Sequence, residues 1–268
     1  FTHPPFSTRI SDVSMWKGEL YADLKNADLA AWRRYLDYPF ELSQGKGALR
    51  AWLSLDHARL AGFTADVGLT DVQAQLGQHI APMDLLTVSG RISAKEDLSV
   101  QVPDGKPTFG ANGHQVQLTN FALETRDGLS LPPTTLSERY IAATRRKPAR
   151  TEITAQSLDL QTLAALADKL PLGTQQRQRL DALAPRGRLQ DFVAEWDGDM
   201  ATPASYRLRG KLVGLGLNAQ PARLAVAKTA STPAQAAAPA IPGFDHLTGS
   251  IDASDKGGSI AIDAQDLV

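Results

Sequence analysis

Strict two-residue alternation of apolar and polar side chains recurs along most of this chain, and it constrains the fold more than any other feature. In Ala48–Asp56, Leu49, Ala51, Leu53 and Leu55 share one face, while Ala48, Arg50, Trp52, Ser54 and Asp56 share the other. In Phe63–Thr70, Phe63, Ala65, Val67 and Leu69 alternate with Thr64, Asp66 and Thr70. The same pattern runs through Leu86–Ala94, Leu98–Val102, Val116–Leu123, Leu189–Trp196, Tyr206–Leu217, Thr248–Ala253 and Ser259–Ala264. A β-strand turns successive side chains to opposite faces, so each segment predicts a strand with one apolar and one polar face. One polar face points to antiparallel pairing. Asp104-Gly105, Asp127-Gly128, Asp197-Gly198 and Lys256-Gly257-Gly258 supply the turns. Faces switch between Leu118 and Phe121 and between Leu212 and Val213, which predicts bulges that curve the sheet.

Helical signals are few. Asp28–Leu36 predicts one short helix. Asp159–Leu170 predicts another, with Leu160, Leu163, Leu166 and Leu170 as its apolar stripe and Asp159 as its N-cap. Thr174–Leu183 predicts a third, closed by Pro185-Arg186-Gly187. The fold class expected is therefore mostly β, antiparallel, with repeated β units curled into an elongated trough or stacked as a sandwich.

The order of elements repeats. A strand, an Asp-Leu step and a helix occur at Leu24–Leu36 and again at Ile153–Leu170. A glycine-led strand pair follows each, at Gly47–Leu69 and Gly187–Leu217, and then a hairpin opening at Leu86–Asp97 and Leu247–Gly258. Two similar β units are expected, residues 1–130 with a helix near 28–36 and residues 131–268 with helices near 159–183, each covering the other's open edge. The Ala/Pro stretch Thr229–Pro242 is expected to be a flexible exposed loop.

Charge and chemistry narrow the function. Lys+Arg 28 against Asp+Glu 29 leaves a net charge of −1, too little field to gather nucleic acid. Cysteine is absent, which excludes disulfides, thiolate metal sites and cysteine nucleophiles. His3, His57, His79, His114 and His246 are not spaced as ligands on one element. Neither a Gly-x-Ser-x-Gly nor a phosphate-binding loop occurs, and no cofactor or metal is expected. Asp28 and Asp159 recur at matching places, where N-capping accounts for both. Trp52 sits on the polar face of its strand, where packing beneath a helix is expected over contact with a ligand. Arg145, Arg146, Lys147 and Arg150 form one basic cluster at a hairpin tip, read as a solvated loop or as a contact for headgroups or another acidic surface. The chain is read as non-catalytic. It starts at Phe1 without Met and stops inside an alternating pattern, so it is expected to be a stretch of something longer.

Several short strings converge from Leu131 onward: Leu131-Pro132-Pro133-Thr134, Ser157-Leu158-Asp159-Leu160, Ala184-Pro185-Arg186-Gly187, Trp196-Asp197-Gly198, Ile241-Pro242-Gly243-Phe244 and Leu247-Thr248-Gly249-Ser250. This run resembles the YhdP proteins, members of the AsmA-like group that also includes TamB. The resemblance covers most of the chain, best from Leu131 to Ile262. It implies a periplasmic location in a Gram-negative cell, in a parent protein anchored to the inner membrane. It implies repeated β units curled into a trough with an apolar interior. It also implies a role in moving phospholipid between the membranes and in keeping the outer membrane a barrier.

An apolar trough holds acyl chains at about 0.8 kcal/mol for each buried CH₂. The lipid-facing candidates are Leu49, Leu53, Leu55, Phe63, Val67, Leu69, Val88 and Ile92 in the first unit, and Val193, Leu208, Leu212 and Ile251 in the second. An ordinary packed core is the competing reading of each. A structural or protein-interaction module of the envelope is the competing function, with neighbouring β units or other envelope proteins meeting the strand edges.

Overall fold

The computed structural model describes residues 17–31, 41–57, 59–97, 110, 112–200, 202–222 and 239–263. Eleven strands form one antiparallel sheet in sequence order: β1 (Lys17–Asp28), β2 (Glu41–Asp56), β3 (Arg59–Gln75), β4 (Met83–Glu96), β5 (Gly113–Thr125), β6 (Ser130–Ile141), β7 (Arg150–Asp159), β8 (Arg186–Asp197), β9 (Ser205–Leu217), β10 (Phe244–Ser254) and β11 (Gly257–Ile262). The sheet is open, with β1 and β11 at its edges. At about 4.8 Å between neighbours, it extends roughly 50 Å across the strands. The pairing of β5 with β6, from Gly113↔Ile141 to Glu124↔Ser130, makes it continuous between the two expected units. The expected strand Leu98–Val102, the turn Asp104-Gly105, residues 32–36 of the expected first helix and residues 229–238 of the Ala/Pro loop lie outside the described residues.

The strands are long, 17 residues in β3 and 16 in β2, against a common length of five or six. Bulges bend them. Gly90 on β4 has φ 130°, and a Cβ there would stand 2.7 Å from the Phe121 Cα and 2.8 Å from the Asn120 carbonyl oxygen. Only glycine fits so close a backbone approach. Opposite it, Asn120 takes the left-handed conformation at φ 48° and inserts the extra residue between Leu118 and Phe121. On β8, Asp191 does the same at φ 48° between Gln190 and Val193. Pro132 and Pro133 sit inside β6 because β6 pairs with β7 only from Leu136 to Ile141, so no backbone donor is missed on that side.

All connections from odd-numbered to even-numbered strands lie along one rim, and the opposite rim carries the returns at residues 56–59, 96–113, 141–150, 197–205 and 254–257. The described helices belong to the first rim. Helix α1 (Leu160–Ala165) and a 3-10 turn (Ala167–Lys169) follow β7, and α2 (Thr174–Leu183) leads into β8. Asp159 caps α1 by accepting the Thr162 backbone N–H at 2.8 Å. Asp28 makes the matching bond to Ala31 N–H at 3.2 Å, where β1 ends in a turn. Leu166 is only 2% exposed. Three tethers hold the segment across the ends of β3 to β6: Thr162 Oγ1 donates to the Ser130 carbonyl at 3.2 Å, Ala81 N–H donates to the Asp168 carbonyl at 3.2 Å, and Lys169 pairs with Asp127 at 3.4 Å. Helix α2 ends at Ala184 in the left-handed region, followed by Pro185. Replacing Asp159 by Ala is expected to cost about 1 kcal/mol. Amide hydrogen exchange should rise in α1 and stay unchanged in β2–β4; equal protection of α1 in both proteins would refute the cap.

Ile241, at the end of the Ala/Pro stretch, exchanges both backbone hydrogen bonds with Gln220, at 2.8 and 2.9 Å. That end of the loop is tied down.

Candidate functional site: the apolar face of the sheet

Residues directly opposite one another on paired antiparallel strands point to the same face. Following the pairs from strand to strand therefore traces rows across the sheet. One row passes through Leu20, Leu53, Phe63, Ala94, Val116, Glu138, Ile153, Ala194, Leu208, Ala253 and Gly258. The next passes through Ala22, Ala51, Ala65, Ile92, Leu118, Leu136, Ala155 and Phe192. It continues past Gly210, beside Phe192, to Ile251 and Ile260. A third joins Leu24, Leu49, Val67 and Gly90. Glu138 is the only charged member of these rows.

The opposite face is polar and charged. Asp23, Arg50, Asp66 and Arg91 stand in one row with alternating sign. Arg50 pairs with Asp23 at 3.4 Å, and Arg91 grips Asp66 through two bonds of 2.6 and 2.9 Å. Farther along, Arg207 meets Asp252 at 3.0 Å and Lys211 meets Asp191 at 2.8 Å. The guanidinium of Arg91 holds the Asp66 carboxyl below the usual carboxylate range. These exposed pairs contribute little stability each, but they fix which face meets water. Trp52 lies on this face between Tyr21, with ring centroids 5.3 Å apart, and Arg91, whose guanidinium carbon is 5.8 Å from the Trp52 ring. The expected helix over Trp52 is absent among the described residues; stacking and cation–π contact take its place.

Among the described residues the apolar face is covered along one rim. There Ala27, Leu29, Leu42, Leu69, Val72, Met83, Leu85 and Val88 form a packed cluster, with Leu24, Leu49, Val67 and Phe121 against it. Among the described residues no second sheet packs on the first beyond the rim: each strand makes substantial contact with its sheet neighbours, and of the helices only α1 does so with strands, β7 and β8. The sandwich alternative therefore gives way to a single curved layer.

The lipid-facing candidates divide accordingly. Leu69, Val88 and Leu212 are buried at the helical rim. Leu49, Leu53, Leu55, Phe63, Val67, Ile92, Leu208 and Ile251 are half-buried on the apolar face. Val193 is placed on the other face, opposite Thr154 and Arg209. Alternation counted from Leu189 runs through the bulge at Asp191, and that extra residue turns Phe192 and Ala194 inward instead. Arg145, Arg146 and Lys147 are exposed at the β6–β7 tip, where the Thr144 hydroxyl accepts the Lys147 N–H at 3.1 Å. Arg150 does not stand free with them: it pairs with Glu195 at 2.5 Å and Asp197 at 3.6 Å. The middle of the face, Val116, Leu118, Leu136, Ile153, Phe192 and Ala194, was not among the candidates, although alternation in Val116–Leu123 signals part of it. Among the described residues no helix is long and apolar enough to cross a membrane.

The described residues thus form an open antiparallel sheet in meander order, apolar on one face and charged on the other, with short helices at one rim. The family model for the YhdP protein matches residues 5–268, and the chain belongs to the YhdP family. No curated protein and no solved structure matches it.

Proposed function

We propose that this chain is a periplasmic stretch of a lipid-transporting envelope protein, and that its apolar face holds phospholipid acyl chains on their way between the inner and outer membranes. The observation that carries the reading is the apolar face itself, continuous over all eleven strands and, among the described residues, met by no second layer beyond one rim. Contiguous apolar surface of that extent is rare on soluble proteins unless it binds something. A row of aliphatic side chains offers a flexible acyl chain many equivalent positions, each CH₂ contributing about 0.8 kcal/mol, with no directional bond to break as it slides. No chemistry on the lipid is required. Neighbouring β units of a longer protein would add to β1 and β11, the edges of the sheet among the described residues; on β11, Ile260 and Ile262 are 59% and 57% exposed.

Native mass spectrometry of protein purified without detergent tests the reading. Co-purified phospholipid, released by collisional activation, is the expected result. A spectrum of bare protein alone, also after incubation with phospholipid vesicles, would overturn it.

A further inference from the structure

Arg145, Arg146 and Lys147 are exposed at the β6–β7 tip, on the rim opposite the helices. The tip is a built turn. Thr144 N–H donates to the Lys147 carbonyl at 2.9 Å, and the Thr144 hydroxyl accepts the backbone N–H groups of Arg146 and Lys147 at 3.3 and 3.1 Å. Three cations are thereby held on one short turn, so little chain entropy is lost when they meet a partner. Among the described residues none of the three has an ion-pair partner. The carboxylates that register brings to this end of β8, Glu195 and Asp197, are taken by Arg150. The adjoining β8–β9 tip is tied on through Gly198 N–H, which donates to the Ala149 carbonyl at 2.7 Å. It adds Asp199, so residues 142–149 and 198–204 carry three cations against one carboxylate.

Large apolar groups stand beside these cations. Ile141 is 43% exposed, Met200 61% and Tyr206 40%. Ile141 closes β6, Met200 lies on the β8–β9 tip, and Tyr206 is at the start of β9. Behind them Tyr140, Trp196 and Tyr206 share one row across β6, β8 and β9, with Thr151 of β7 between. An acidic protein would pair with the cations and has no need of exposed Ile, Met and Tyr next to them. The surface of an anionic bilayer takes both kinds of group. Its phosphates meet the cations, apolar side chains enter the headgroup boundary, and Tyr and Trp rings settle at that level.

We infer that the joined β6–β7 and β8–β9 tips dock on the surface of a bilayer containing anionic phospholipid, with Arg145, Arg146 and Lys147 on the phosphates and Ile141 and Met200 in the headgroup boundary. The inference stands on the two tips and does not depend on the acyl-chain reading. Sedimentation with vesicles of phosphatidylglycerol and phosphatidylcholine in equal parts tests it, against vesicles of phosphatidylcholine alone. Lipid bound to the protein that stays in solution is measured separately, so docking and acyl-chain uptake fail independently. Each Lys or Arg near an anionic surface changes binding about fivefold, so the parent should favour the phosphatidylglycerol vesicles by about tenfold or more. Arg145→Gln, Arg146→Gln and Lys147→Gln together should abolish that preference. Lys46→Gln, Arg177→Gln and Arg179→Gln together remove the same charge from β2 and α2, toward the helical rim, and should keep it. Ile141→Ser with Met200→Ser should weaken binding severalfold at unchanged charge. No preference for the anionic vesicles, or the same loss in both triple variants, would overturn the docking site. Full vesicle binding by the serine variant, or capture on poly-glutamate beads as tight as on the vesicles, would give the tips to an acidic partner and overturn the bilayer contact.

Discussion

Leu53→Asp is expected to leave the protein folded and to reduce phospholipid uptake by an order of magnitude or more. Leu53 lies on the apolar face between Leu20 and Phe63, half-buried and outside the packed cluster of the rim. A carboxylate in a closed core would lose its hydration with nothing in exchange and would unfold the domain. The same row already carries one carboxylate, Glu138, nearly half exposed. Water therefore reaches this level of the face, and Asp at Leu53 can stay hydrated at a stability cost of about 1 kcal/mol from β-propensity. An acyl chain crossing the row must then desolvate that charge or leave the surface. Leu85→Asp supplies the contrast. Leu85 is 5% exposed within the rim cluster, and an unpaired charge there costs several kcal/mol. Thermal melts and fluorescent-phospholipid binding on both variants decide the matter. If Leu53→Asp unfolds as Leu85→Asp does, the face is a packed core. If it stays folded and binds lipid like the parent, Leu53 is not on the lipid path.

What alternation could and could not reveal follows from how a sheet is built. Period two gives the face of each residue as long as the strand is regular, which is why Leu53, Phe63, Val67 and Ile92 fall where their pattern predicts. It carries no information on an inserted residue, so one left-handed residue, Asp191, turned Val193 outward and Phe192 inward. The α1 region was legible because an N-cap and a leucine stripe are local signals, and both are present in Asp159 and the buried Leu166. That no second layer meets the face among the described residues was not legible: a face that packs on another sheet and a face left open have the same composition. Arg150 reads as part of a basic run in sequence, while register brings Glu195 and Asp197 to it.

Leu166→Ala should produce the opposite pairing of effects from Leu53→Asp. Leu166 is the largest fully buried side chain among the described residues. It sits at the end of α1, where the backbone turns into the 3-10 segment tethered to Ala81, Ser130 and Asp127. Removing its branched end leaves a cavity that three tethers at different strands hinder from collapsing, so the cost should fall in the 2–5 kcal/mol range of buried Leu→Ala changes. For a chain of this size that is a fall in melting temperature of roughly 5–15 °C. The folded protein should still bind lipid as the parent does, because the open rows from Leu20 to Leu208 do not pass through Leu166. A melting temperature within a degree of the parent would mean that the helical segment rests on the sheet without supporting it. A stable protein with lost binding would move the lipid path under α1. With the two variants together, a hole in the rim lowers stability and spares uptake, while a charge on the open face spares stability and lowers uptake. That crossed result distinguishes a sheet packed at one rim and open along its face from a uniformly packed core, in which both substitutions would act through unfolding alone.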